Sequence, residues 1–258
     1  MPESFEAFYA TTLQGTWLQL PVPALFLAYL ASAGRTRVAA CARPRADFIL
    51  AYCAFFTVET LLDPVLGGPV SQWLGLSPAA QSALIFFFVW LGDFRVTLLV
   101  FELGDARRPW LQAAAWACAV PLVDLLLFFG LLRGLWPDTP GQVLWLVHET
   151  AFLMLALWMR AVLVPRLTLE EPAGQRAFLR RALAYVAVYY ALWASADVLI
   201  LAGLDLGWAL RLIPNQLYYA FWTAFVFFSF TARRAAGAAR RVTPTKASRR
   251  LAVPAGRR

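Results

Sequence analysis

Apolar residues fall in seven long blocks along the chain, separated by short polar gaps: residues 12–32, 48–67, 80–103, 110–131, 143–164, 182–201 and 212–230. Crossing the hydrocarbon layer of a bilayer as a helix takes about 20 mostly apolar residues, and each block has that length. The blocks are too long and too continuously apolar for membrane β-strands of about 10 alternating residues. A helix also satisfies its own backbone groups where no water is available. The pattern therefore predicts an all-α, polytopic, seven-transmembrane-helix bundle over residues 1–232, with a separate tail over residues 233–258.

The gaps between blocks are of two kinds, and they alternate. Arg35, Arg37, Arg43 and Arg45 follow the first block, Arg107 and Arg108 the third, and Arg166, Arg176, Arg180 and Arg181 the fifth. The tail from Arg233 to Arg258 holds nine of the 23 basic residues, so 19 fall on one side. Only Arg133 and Arg211 fall in the other gaps, with Arg95 and Arg160 inside blocks. Basic loops stay on the cytoplasmic side, which predicts an N-terminus outside and a cytoplasmic C-terminus, with a bacterial cytoplasmic membrane as the location. The alternation also supports the count, because one helix more or fewer would break it. A cleaved signal is not expected, since Glu3 and Glu6, rather than basic residues, precede the first block. Trp17, Trp73, Trp110, Trp136, Trp145 and Trp208 lie near the ends of blocks, where interfacial rings belong.

Composition agrees. The chain is 61% hydrophobic and 15% charged, against about 25% charged in soluble domains. The net charge of +8 would suit a nucleic-acid-binding domain, but such a domain has no need of long apolar blocks with arginine confined to the gaps. No nucleic acid is expected as a partner. The tail is poor in large apolar residues and is expected to be disordered or to lie against anionic lipid headgroups. Cys41, Cys53 and Cys118 fit neither a zinc nor a redox spacing, and no cofactor is called for. Pro109, Pro165 and Pro214 read as helix boundaries, and Pro21, Pro23, Pro64 and Pro121 as internal kinks.

Ionisable groups inside the blocks carry the candidate chemistry, since charges in a bilayer are expensive. Glu59 and Asp63 stand one turn apart on the second block and share a face. Asp93 is near the middle of the third block. Arg95, two residues on, faces another way, so each needs its own partner, and Arg95 is expected to neutralise an acid of a neighbouring helix. Asp124 lies in the fourth block, His148 and Glu149 in the fifth, and Asp197 in the sixth, while Asn215, Gln216 and Tyr218 open the seventh. With the alternating topology, Glu59, Asp63, Asp124, His148, Glu149, Asp197, Asn215 and Gln216 reach the outer half, with Asp93 below them near the midplane. An outward-facing acidic cavity, walled by Trp145, Trp193, Tyr218 and Trp222, is the expected result. Glu102 and Asp105 are expected to be wet, at the cytoplasmic boundary.

A covalent retinal pigment is excluded, because the only lysine, Lys246, is in the tail. The cavity favours proton-coupled or cation-handling transport of a small solute, with a small cationic solute or a proton as the partner besides the lipid bilayer. Two alternatives stand beside it. One is an intramembrane enzyme using His148 and carboxylates, with or without a metal. The other is a sensor or a non-catalytic subunit of a membrane complex.

Overall fold

A computed structural model describes residues 4–9, 19–105 and 108–232. The expected tail and the start of the first block, with Trp17, lie outside the described residues, as does Arg107. Among the described residues the chain is all-helical, and one isolated bridge, Asp105 to Thr168, is its only β-type pairing.

A one-turn helix, Phe5–Phe8, precedes seven longer helical stretches. These are α1 (residues 21–41), α2 (46–73), α3 (Pro78–Gly104), α4 (Trp110–Leu135), α5 (Gly141–Arg166), α6 (Pro172–Leu201) and α7 (206–231). Among the described residues, five helices are long and apolar enough to cross a membrane: Ala46–Val65 within α2, and α3 to α6. The other two stretches carry polar residues within their length, Arg35 and Arg37 in α1 and Asn215 and Gln216 in α7. α3, at 27 residues, is about 40 Å long at 1.5 Å per residue. Its start is fixed locally: the Ser77 hydroxyl accepts from the Ala80 N–H at 3.3 Å, and Pro78 takes the first helical position.

Several boundaries differ from those the sequence predicts. α1 runs on to Cys41, nine residues past the expected end, so Arg35 and Arg37 lie on helix and not in a gap, and α2 runs on to Trp73. α6 begins at Pro172, so most of the expected loop over 166–181 is helix. α7 begins at Leu206 and contains Pro214, which had been read as a boundary. Pro64, Pro121 and Pro214 each precede a π-helical stretch, at Leu66–Val70, Leu126–Leu132 and Gln216–Phe221. A proline ring removes one N–H and crowds the carbonyl four residues back. Each helix nonetheless continues past its proline and passes into the widened turns that follow.

Aromatic rings fill the centre. Trp222, Tyr189, Tyr190, Phe56, Phe152 and Phe178 are almost wholly enclosed. The outward faces carry Leu25, Leu111 and Leu126, as lipid-facing helices require. Trp73, Trp110 and Trp136 are 83%, 63% and 58% exposed near helix ends, in the manner of interfacial rings. Close helix contacts fall at glycine. A Cβ on Gly92 of α3 would lie 1.6 Å from the Tyr218 hydroxyl of α7. On Gly207 it would lie 2.6 Å from the Ala196 carbonyl of α6.

One end of the bundle is laced together by arginine. Arg45 reaches Glu102 of α3 and Glu170 before α6, both at 3.0 Å, and Arg43 lies 3.4 Å from Glu171. The Arg43 guanidinium stands over the Phe230 ring at 5.1 Å and donates to the Phe230 carbonyl. The gaps after α1, α3 and α5 thus meet at one end, together with the end of α7. Glu102 is buried there, not wet, because Arg45 covers it and supplies its counter-charge.

Candidate functional site

Toward the other end, the intramembrane acids gather into three units, each with one base. The first joins α2, α3 and α7. Arg95 is 1% exposed, and its Nη1 stands 3.7 Å from the Glu59 carboxylate. Nη1 also donates to Thr60 Oγ1 at 3.4 Å, and Nη2 to the Tyr218 carbonyl at 2.6 Å. The guanidinium stacks 4.1 Å from the Tyr218 ring centre, a favourable cation–π geometry. Tyr218 can lie there only because Gly92 has no side chain. Asp63, one turn beyond Glu59, lies within Coulombic reach of Glu59 and Arg95. The α3 backbone is fixed in turn by Tyr52, which donates to the Arg95 carbonyl at 2.8 Å and accepts from Trp222 Nε1 at 3.0 Å.

The second unit joins α3, α4, α5 and α6. His148 Nε2 faces Asp93 at 3.4 Å, and Nδ1 makes a short contact with Asp124. The Tyr190 hydroxyl donates to the other oxygen of Asp93. The result is a chain, Tyr190–Asp93–His148–Asp124, with Asp93 fully enclosed and Asp124 at 11% side-chain exposure. Trp145 and Phe152 pack on the imidazole, with ring centres at 5.8 and 5.1 Å.

The third unit joins α5, α6 and α7. Arg211 stands 3.1 Å from Glu149 and 3.2 Å from Asp197. Next to it, Trp193 Nε1 donates to Asn215 Oδ1 at 2.7 Å, and Asn215 Nδ2 donates to the Tyr9 hydroxyl at 3.0 Å. The N-terminal turn closes over this end, since the Phe5 and Glu6 N–H groups donate to the Asp205 carboxylate at 2.7 and 2.9 Å.

No family model, curated protein or solved structure matches this chain. Its chemistry therefore has to be read from the three units themselves. In each, two carboxyl groups face one base. A unit with both carboxylates ionised and its base protonated carries one net negative charge, and one further proton neutralises it. Burying an uncompensated charge is costly, which gives each unit a reason to hold that proton. The units are also joined through the chain: Asp93 and Arg95 belong to one helix turn, and His148 and Glu149 are neighbours.

All the candidate acids named from the sequence occur in these units, as do Arg95, His148 and Tyr218. Asn215 lies beside the third unit. Gln216 is half-buried in the π-helical stretch of α7 and makes none of the contacts described. Glu59, Asp93, Glu149 and Asp197 are buried with a base beside each, while Asp63 and Asp124 are half-buried. The apolar pattern places Arg211 in a gap, whereas it lies on α7, and no signal in the pattern marks Tyr190 or Thr60. The offset of four residues between Arg211 and Asn215 was the available signal for placing Arg211 on a helix with the polar face of α7.

Among the described residues, no group of three or more His, Cys, Asp or Glu side chains could hold a metal ion. The geometry gives the reason at His148. Its two nitrogens point away from each other toward different carboxylates, so Asp93 and Asp124 cannot converge with one nitrogen on a common ion.

Proposed function

We propose that this chain is a seven-helix carrier of the bacterial cytoplasmic membrane, with its N-terminus outside, its C-terminus in the cytoplasm, and proton transfer coupled to passage of a small cation. The observation that carries the reading is the Tyr190–Asp93–His148–Asp124 chain, flanked by two further units with surplus acid. In this arrangement, Arg95 and Arg211 take the positions that a solute cation would otherwise occupy beside Glu59, Glu149 and Asp197. Opening requires a base to withdraw and a proton or a cation to replace its charge. The π-helical stretches beside Pro64, Pro121 and Pro214 supply places where α2, α4 and α7 can bend.

The topology draws on the alternation of basic gaps and on their meeting at one end of the bundle. The enzyme alternative is less well served. Both nitrogens of His148 already face carboxylates, which leaves neither for a substrate.

The test uses purified protein in liposomes enclosing a pH-sensitive dye, with sodium, potassium, methylammonium or choline added outside in turn. One of these cations is expected to drive proton release from the lumen. Asp93→Asn and His148→Gln should abolish it while the protein remains folded. Luminal pH that follows protein-free liposomes for all four cations would overturn the proposal, and so would release that survives both substitutions.

A further inference from the structure

Away from the polar units, α1 and α2 enclose a cleft of about 1040 Å³ near the arginine-laced end. Its origin is in the sequence. Ala31 and Ala39 on α1 face Ala51 and Ala54 on α2, and four short side chains leave open the space that leucines would fill. Gly34 lets the helices touch beside the cleft, where a Cβ would come within 3.0 Å of a Leu50 methyl. The volume is at the upper end of the range of small-molecule pockets, about 300–1,000 Å³, so it exceeds what a headgroup alone needs.

Two opposite charges also line this cleft, Arg35 from α1 and Asp47 from α2. Both are exposed, and among the described residues neither forms an ion pair or hydrogen bond with another part of the chain. Nearby, Arg43 and Arg45 pair with Glu171, Glu102 and Glu170, and Arg37 donates to the Thr231 hydroxyl. A free cation and a free anion on the rim of one apolar cleft match a ligand that carries both charges next to a hydrocarbon chain.

We propose that the α1–α2 cleft binds one phospholipid with a zwitterionic ammonium headgroup, phosphatidylethanolamine. Its phosphate lies on Arg35, its ammonium on Asp47, and one acyl chain lies in the alanine-lined cleft against Leu27 and Leu50. The two polar contacts are charge-assisted hydrogen bonds at the membrane boundary, where they are partly shielded from water. The acyl chain adds little net free energy, because surrounding lipid offers it an equally apolar environment. Selectivity therefore comes from the headgroup, and retention from the shape of the cleft. Nothing in this site depends on transport.

The experiment is native mass spectrometry of the full chain released from nanodiscs made of equal parts phosphatidylethanolamine and phosphatidylglycerol. One phosphatidylethanolamine per chain is expected to remain bound. Arg35→Gln should lower its retention at least fivefold, and Asp47→Asn should shift the preference to phosphatidylglycerol. Ala51→Leu, on an exposed position, fills the cleft and should remove the bound lipid with the melting temperature unchanged. Equal retention of both lipids by the natural chain would mean annular lipid only and would overturn the proposal. Retention indifferent to any of the three substitutions would overturn it equally.

Discussion

Replacing Arg95 with methionine tests the reading of the polar units as paired charges most directly. The substitution keeps a long apolar side chain in a site that is 1% exposed but removes the guanidinium. Glu59, 3.7 Å away, is left buried without its counter-charge, and the Tyr218 carbonyl loses a donor at 2.6 Å. Removing one member of a buried ion pair costs about 3–5 kcal/mol, chiefly through the stranded partner. Every 1.4 kcal/mol is tenfold, so the folded population should fall roughly a hundredfold or more relative to the unfolded. Glu59→Gln in the same chain removes the stranded charge, and Arg95→Met/Glu59→Gln should regain about half of the loss. The unrecovered part is the hydrogen bond to Tyr218 and the cation–π contact, the latter about 0.5–2 kcal/mol. Unfolding in mixed detergent–SDS micelles, run as a double-mutant cycle, reads both quantities. Strictly additive single and double variants would refute the pairing, as would an Arg95→Met cost under about 1 kcal/mol.

Gly92→Ala forces a methyl to within 1.6 Å of the Tyr218 hydroxyl and should cost about 1–3 kcal/mol by overpacking. In a Tyr218→Leu background, which has its own cost through the lost cation–π contact, adding Gly92→Ala should be nearly neutral in the same unfolding assay. In a chain freed of its natural cysteines, Arg45→Cys with Glu170→Cys should be bridged by a short bis-thiol-reactive reagent, because the longer natural side chains meet tip to tip at 3.0 Å and the shorter cysteines stand farther apart than a direct disulfide spans. Failure to cross-link would contradict the meeting of the α1–α2 and α5–α6 connections at one end. Asp205→Asn removes the charge that the Phe5 and Glu6 N–H groups donate to and should speed hydrogen exchange over residues 5–9. Unchanged exchange there would mean that the Tyr9–Trp208 ring contact at 5.3 Å and the Asn215 bond hold the turn by themselves.

The helices were legible because a bilayer imposes one rule on every spanning segment, and blocks such as 80–103 and 143–164 obey it within a few residues. The divergence of Asp93 and Arg95 was legible too, since two residues on a helix face nearly opposite ways. Partner identity was not. These helices are apolar on most sides, so periodicity hardly reports which face meets which neighbour. That is why Arg211 passed for a loop residue and Glu102 for a wet one. Pro214 misled for another reason. Rules for proline come from helices in water, where a broken backbone contact is readily replaced by solvent, whereas α7 widens and continues.

The two-residue offset on α3 has a mechanical consequence. At 3.6 residues per turn, Asp93 and Arg95 project about 200° apart. A roll of α3 about its own axis that pulls Asp93 from His148 must also swing Arg95 away from Glu59 and Tyr218. The helix acts as a camshaft with two lobes, and disengaging one drags the other. In such a roll, neither flank of the bundle lets go of its charge while the opposite flank keeps its grip.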